Sequence, residues 1–198
     1  MEFAGLIFDC DGTLADTMPL HYEAWVATLD DYGLTFDEDR FYSLGGWPTK
    51  SVAKLLADEA NLTVDLDRFY HEKENRFLAL LDRVTPIAPI LSEAERHRGR
   101  LPMAVATGAT RDVCERILRT IGVHDWFDTI VGADDVAHHK PAPDVFLEAA
   151  RRLKVEPGRC LVYEDADPGI EAARRAGMKF VDVRTVYQPR RVTARRSA

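Results

Sequence analysis

Apolar residues along the chain follow two rhythms that change over near residue 100. Leu6, Ile7 and Phe8 make a short continuous apolar run ending in turn residues, the pattern of a strand buried on both faces. From residue 19 the spacing becomes helical: Leu20, Ala24, Ala27 and Leu29, with Trp25, predict an amphipathic helix over 19–32. Pro19 suits its first turn and Gly33 ends it. Val52, Ala53, Leu55 and Leu56 predict a helix over 49–60. Leu66, Phe69, Tyr70, Phe77, Leu80 and Leu81 predict another over 65–83. Between the first and second helices Leu44-Gly45-Gly46-Trp47-Pro48 reads as a turn-rich loop, and no strand is expected from about 16 to 86. From Leu101 strands alternate with helices: Met103–Ala106, helix 111–121, Ile130–Val131, helix 143–153, Cys160–Tyr163, helix 167–176 and Phe180–Val183. Such alternation predicts an α/β fold, a parallel sheet with helices on both faces. Its first strand is cut off from the rest by an all-helical insert. The expected division is a core of residues 1–15 and 87–198 and a helical domain of 16–86.

Composition narrows the class. The 198 residues are 46% hydrophobic and 30% charged, ordinary for a globular chain with a proper core. The formal charge is −7, yet Arg184, Arg190, Arg191, Arg195 and Arg196 share the end of the chain with no acid, leaving about −12 on residues 1–183. An acidic body argues against nucleic acid as partner. An anionic substrate would then need a local positive focus, a metal or a lysine. The basic end reads as a solvated terminus, with a specific anionic partner as the alternative. Cys10, Cys114 and Cys160 are scattered and form no C-x-x-C pair, which suggests neither a disulfide framework nor a zinc site. No signal-peptide pattern opens the chain, and no apolar run approaches the ~18 residues of a membrane span. A cytoplasmic monomer with no membrane association is expected.

Candidate chemistry sits at the ends of the predicted strands. Asp9 and Asp11 follow the first one, and crowding two acids there is costly unless a cation or a shared proton relieves it. The competing reading of Asp11-Gly12 is a plain turn. Thr107-Gly108 follows the second strand, where a hydroxyl and free backbone N–H groups suit a phosphate oxygen. Lys140 precedes Pro141 and Pro143, which would hold it on a rigid turn. Its neighbours His138 and His139 invite a metal pair, although adjacent residues point apart. Glu164 and Asp165 follow a further strand, and hard oxygen ligands suit Mg²⁺. Asp167 reads as part of a helix N-cap region rather than as a ligand.

In this order the four segments resemble the haloacid dehalogenase superfamily of phosphohydrolases, in the branch with a helical cap after the first strand. The resemblance covers residues 3–184. It is strongest to the β-phosphoglucomutase-like subfamily and, within that, to bacterial fructose-1-phosphate/6-phosphogluconate phosphatases. It implies a Rossmann-like core with an inserted cap, and a Mg²⁺-dependent phosphatase acting on small phosphorylated metabolites. Asp9 would be the nucleophile forming an aspartyl-phosphate, and Asp11 the general acid and then base. Mg²⁺ would be held by the Asp9 carboxylate, the Asp11 carbonyl and Asp165, with Glu164 as ligand or support. Thr107 and the Gly108 amide would cradle the phosphoryl oxygens, and Lys140 would neutralise them. Cys10 stands where relatives carry a plain hydrophobe and is given no role.

From the cap, the resemblance points to His21, Gly46, Trp47 and Lys73 as substrate contacts. The mutases of the subfamily grip a second phosphate with a cap-loop arginine and a Ser-Lys-Asn run. This chain has Thr49 at the first place and Ala109, Thr110 and Arg111 at the second. Only Arg111 could restore part of that grip, so hydrolysis is expected over isomerisation. A β-phosphoglucomutase and, from another class, a non-catalytic scaffold are the alternatives. The intact acid set speaks against the scaffold.

Overall fold

A strand with no polar face must lie in the middle of a sheet, and β1 (Gly5–Phe8) does. The computed structural model, which describes residues 3–192, holds a five-stranded parallel sheet of order β3-β2-β1-β4-β5. The other strands are β2 (Met103–Ala106), β3 (Thr129–Val131), β4 (Cys160–Glu164) and β5 (Lys179–Asp182). Side chains alternate across the pleat. Leu6 and Phe8 of β1, with Met103 and Val105 of β2, face a core shared with Ile90 and Ala94 and with Cys114, Ile117 and Leu118. Those residues belong to α5 (Ala88–His97) and α6 (Arg111–Thr120). On the opposite face Ile7, Ala104 and Val162 meet α7 (Asp144–Leu153) and α8 (Asp167–Arg175).

Between β1 and β2 the chain is helical: α1 (Met18–Asp30), α2 (Glu38–Ser43), α3 (Thr49–Glu59) and α4 (Leu66–Leu78) precede α5. These four helices enclose an aromatic cluster of their own, including Trp25, Phe36, Phe41, Leu56 and Phe69. Helix α1 faces two cores. Its Tyr22, Trp25 and Leu29 enter the aromatic cluster while Leu20 and Ala24 join the sheet core. That double burial moves the helix face away from expectation, for Ala27 is exposed and Thr28 is buried.

The predicted strands and helices agree to within a residue or two, with three differences. The expected helix 65–83 stops at Leu78 and re-forms as a 3₁₀ turn over Leu81–Arg83. Helix α2 was not expected, since its six residues bury only Glu38 and Phe41; it is set by Asp37, whose carboxylate accepts the Arg40 N–H at 3.0 Å. Helix α5 also escaped the pattern, because it buries just Ile90 and Ala94, one turn apart.

After β5 the described part of the basic segment is docked rather than free. Arg184 pairs with Asp167 and Asp182, and the segment then crosses to α2. There the Val192 N–H donates to Glu38 Oε1 at 2.7 Å, and the Arg191 guanidinium lies 3.7 Å above the Tyr42 ring. Arg195 and Arg196 lie outside the described residues. Among the described residues no helix is long and apolar enough to cross a membrane.

Candidate active site

Strands β2, β1 and β4 are neighbours in register, with Phe8 opposite both Val105 and Tyr163. The residues that follow them therefore emerge side by side at the carboxyl edge of the sheet, where open α/β folds bind ligands. Asp9, Thr107 and Glu164 are all buried there. Lys140 arrives from the loop between β3 and α7. Its ammonium lies 2.7 Å from Asp9 Oδ1 and 2.8 Å from Glu164 Oε2, and it donates to the Ala106 carbonyl at 3.1 Å. Burial alone would discharge this lysine, but Asp9 and Glu164 outweigh it and keep it charged.

Beyond Asp9 the chain turns sharply, with the Cys10 carbonyl accepting the N–H groups of Leu14 and Ala15 at 3.0 and 3.1 Å. Gly12 makes the turn at φ +80°, and a Cβ there would stand 2.2 Å from Asp165 Oδ2. Both conformation and space require glycine, so Asp11-Gly12 is a turn and part of the site together. Thr13 donates to Asp165 Oδ1 at 3.2 Å. Asp9, Glu164 and Asp165 each offer an oxygen within 4.8 Å of the others. Three carboxylates thus face one ammonium, leaving two negative charges. Burial, then the Glu164 charge, push the Asp9 carboxyl up to about 8, against the pull of Lys140. Burial, then Glu164 and Asp9, raise Asp165 well above its ordinary range. This is the signature of an acid cluster that protons or a cation must neutralise, and its oxygens suit a hard divalent ion. Glu164 is already engaged: Oε2 meets Lys140, and Oε1 accepts the N–H groups of Asp165 and Ala166 at 3.1 and 3.0 Å.

Asp11 points toward the helices. Its Oδ1 accepts the Thr17 hydroxyl at 2.7 Å and lies 3.3 Å from His21 Nε2. Lys73 Nζ sits 2.9 Å from His21 Nδ1 and 2.9 Å from Glu74 Oε1. An ammonium can only donate, so Nδ1 accepts and the ring proton is on Nε2, directed at Asp11. Burial, then the Lys73 charge, depress the His21 basicity, keeping the ring neutral. Burial would raise Asp11, but the bonds from His21 and Thr17 and the Lys73 charge hold it below the usual carboxylate range. The His21 ring also stacks on Phe77, centroids 3.7 Å apart.

These groups line a cavity of about 440 Å³ between the sheet edge and the helices. Gly46, Trp47, Lys73, Thr107 and Gly108 line it too. The Thr107 hydroxyl accepts the Ala109 N–H at 3.1 Å, which leaves its proton for another acceptor. Gly46, at φ +78°, brings the 44–48 loop down to the sheet edge, where a Cβ would lie 3.1 Å from Ala166. Trp47 is half exposed at the rim.

The remaining sequence candidates fall in different surroundings. Arg111 does not reach the cavity lining: its guanidinium is held by Asp135, at 2.5 Å for Nη2, beside Arg152 on the same carboxylate. His138 pairs with Asp144 at 2.9 Å, while His139 is an exposed lining residue; neither belongs to the acid cluster. Asp167 lies in the N-cap region as expected, as the first residue of α8, and its carboxylate pairs with Arg184. His21 and Lys73 both line the cavity, with His21 joined to Asp11 and Lys73 joined to His21 and Glu74. Thr13, Thr17 and Glu74 were missed. For Lys73 and Glu74 a signal existed: Phe69, Lys73 and Phe77 are spaced by four, so Lys73 must face inward with its neighbour at the rim.

Over residues 6–183 the sequence matches the family described as haloacid dehalogenase-like hydrolase. It is 45% identical to the fructose-1-phosphate phosphatase YqaB of Escherichia coli (strain K12), across 92% of this chain and 97% of that protein. A phosphorylated carbohydrates phosphatase of Thermotoga maritima is 33% identical, across 89% of this chain and 82% of its own length. In three dimensions the chain matches a β-phosphoglucomutase from Clostridium difficile with a TM-score of 0.82, at 28% identity, covering 91% of this chain and 84% of the other.

Proposed function

The chain belongs to the haloacid dehalogenase-like hydrolases, a family of its close phosphatase relatives, and on that premise we propose how it works: as a Mg²⁺-dependent phosphatase of small sugar phosphates, fructose 1-phosphate among them, through an aspartyl-phosphate on Asp9. The observation that carries this reading is the group of Asp9 and Glu164, both buried, and the half-buried Asp165 around the ammonium of Lys140. Asp9 and Asp165, with the Asp11 carbonyl, would hold Mg²⁺, and Glu164 would orient Lys140. When bound, the ion supplies charge neutralisation for the phosphoryl oxygens.

The remaining chemistry belongs to the chain. Thr107, the Gly108 amide and Lys140 bind the phosphoryl oxygens and aim phosphorus at Asp9. An Asp9 oxygen attacks phosphorus, the bond from phosphorus to the sugar oxygen breaks, and that oxygen takes a proton from Asp11, which is ionised in the free protein and takes that proton up from solvent when the anionic phosphate binds beside it. Asp11, now ionised, is stabilised by the donors His21 and Thr17. It then removes a proton from water, whose oxygen attacks the aspartyl-phosphate, releasing phosphate and restoring Asp9. Residues 16–86 act as the cap that covers these steps.

The likeness to a β-phosphoglucomutase leaves isomerisation as the second reading. Thr49, Ala109 and Thr110 line the cavity without positive charge, and Arg111 is spent on Asp135. Nothing there grips a second phosphate, so water completes the reaction.

Phosphate release from fructose 1-phosphate, with phosphorus NMR of the products from β-glucose 1-phosphate, tests the assignment. The expected products are free phosphate and free sugar, and Asp9→Asn should lower turnover by at least about 10³-fold with its melting temperature preserved. Near-normal release by that variant, or build-up of glucose 6-phosphate, would sink it.

A further inference from the structure

The cavity has two chemically different ends. At the sheet edge stand Asp9, Lys140, Thr107 and Asp165; at the helical end stand Thr49, Lys50, Tyr70 and Glu74. Positive charge at the helical end is already matched. Lys50 pairs with Asp67, and Lys73 is shared between Glu74 Oε1 and His21. Glu74 itself is largely buried, its side chain 17% exposed. Its Oε1 meets Lys73 at 2.9 Å and the Thr49 hydroxyl at 3.5 Å. Its Oε2 makes no hydrogen bond among the described residues, so a Glu74 acceptor remains in the cavity lining while Lys73, the cation beside it, is already engaged.

Resting on the phosphatase reading above, we propose that Glu74 is a specificity-determining residue: it accepts a hydroxyl from the sugar end of the substrate and turns away a second anion there. An ionised carboxylate offers only acceptor sites, which sugar hydroxyls satisfy and a second carboxylate cannot. Two like charges at this depth repel, and no lysine or arginine of the lining is free to bridge them. The favoured substrates are monophosphates of neutral polyhydroxy compounds, ketose 1-phosphates included. Sugar-acid phosphates and bisphosphates are disfavoured, which narrows the pair of fructose 1-phosphate and 6-phosphogluconate to the first.

Glucitol 6-phosphate and 6-phosphogluconate form a matched pair, differing only by a CH₂OH or a carboxylate at C1. Their kcat/KM values, measured with Mg²⁺ on one preparation of the full chain, give a ratio independent of the fraction of folded enzyme. The expected ratio favours glucitol 6-phosphate by about tenfold or more, the size of one like-charge contact in a partly solvated cavity. Glu74→Gln should bring the ratio down by at least about fivefold, chiefly by lowering KM for the sugar acid, while Glu74→Asp retains the preference. A wild-type ratio near one, or a ratio that Glu74→Gln leaves in place, overturns the role of Glu74 while the phosphatase reading stands. Failure of the wild type to release phosphate from any of the three sugar phosphates, fructose 1-phosphate included, overturns both.

Discussion

Asp9 and Asp11 lie two residues apart and are driven in opposite directions. Asp9 faces other acids and is pushed up to about 8, whereas Asp11 faces donors and is held low. One consequence is measurable without substrate. In the metal-free fold Asp9 keeps its proton to about pH 8, while the unfolded side chain loses it near 3.8. Between those values the folded state binds more protons, so stability falls as pH rises. Asp165 has the same sign. His21 has the opposite one, since its folded basicity is depressed, but that contribution is complete by about pH 7. Melting curves after chelation should therefore drop between pH 7 and 8, and Mg²⁺ should raise them and flatten the slope. A chelated protein that grows more stable over that interval would contradict the proposed acid cluster. At this scale Asp9, Asp11 and Asp165 stood out because each sits beside turn chemistry at a strand end, and Lys140 because two prolines follow it. The Lys73–His21–Asp11 chain was not, because its members are 10 and 52 residues apart.

Helix α4, like α1, joins the two cores. Phe69 is buried in the aromatic cluster of the helices, and Phe77 in the sheet core with Phe8. Lys73, midway between them on the same face, is carried into the cavity. Phe77→Ala should cost about 3–5 kcal/mol, from lost burial and the hole left behind. Phe69→Ala should cost a similar amount, yet only Phe77 supports the His21 ring. Urea titration and turnover of the two variants, both measured where each is folded, should show comparable losses of stability and a larger loss of kcat for Phe77→Ala. Equal kcat values would mean that the stacking does not position His21. Element boundaries were legible wherever apolar periodicity was strong, as in β2 or α7. Helices α2 and α5 were not, since each buries two residues and the rest of its pattern is written by solvent.

Across the whole molecule the chain after β5 ties the sheet to the helical layer. Arg191 covers Tyr42 and donates to the Glu38 carbonyl at 3.3 Å, and Val192 packs against the aromatic cluster. Arg191→Ala should lower stability by about 0.5–1 kcal/mol, read as a fall of roughly 1–4 °C in melting temperature. An unchanged melting temperature would show that this contact contributes nothing. The basic composition of the segment gave no hint of it, because a charge run looks the same whether it is solvated or docked. What the sequence determined by itself was local: an apolar run buried on both faces, helical periodicity, acids placed at strand ends and a lysine held on a proline-bounded loop. Tertiary structure alone decided which charges are matched. Arg111 was lost to Asp135, Lys73 was divided between His21 and Glu74, and Lys140 was shared by Asp9 and Glu164. The physical reason is range. Backbone preference and periodicity act over a few residues, whereas the pairing of buried charges depends on which groups packing brings within about 3–4 Å, however far apart they stand along the chain.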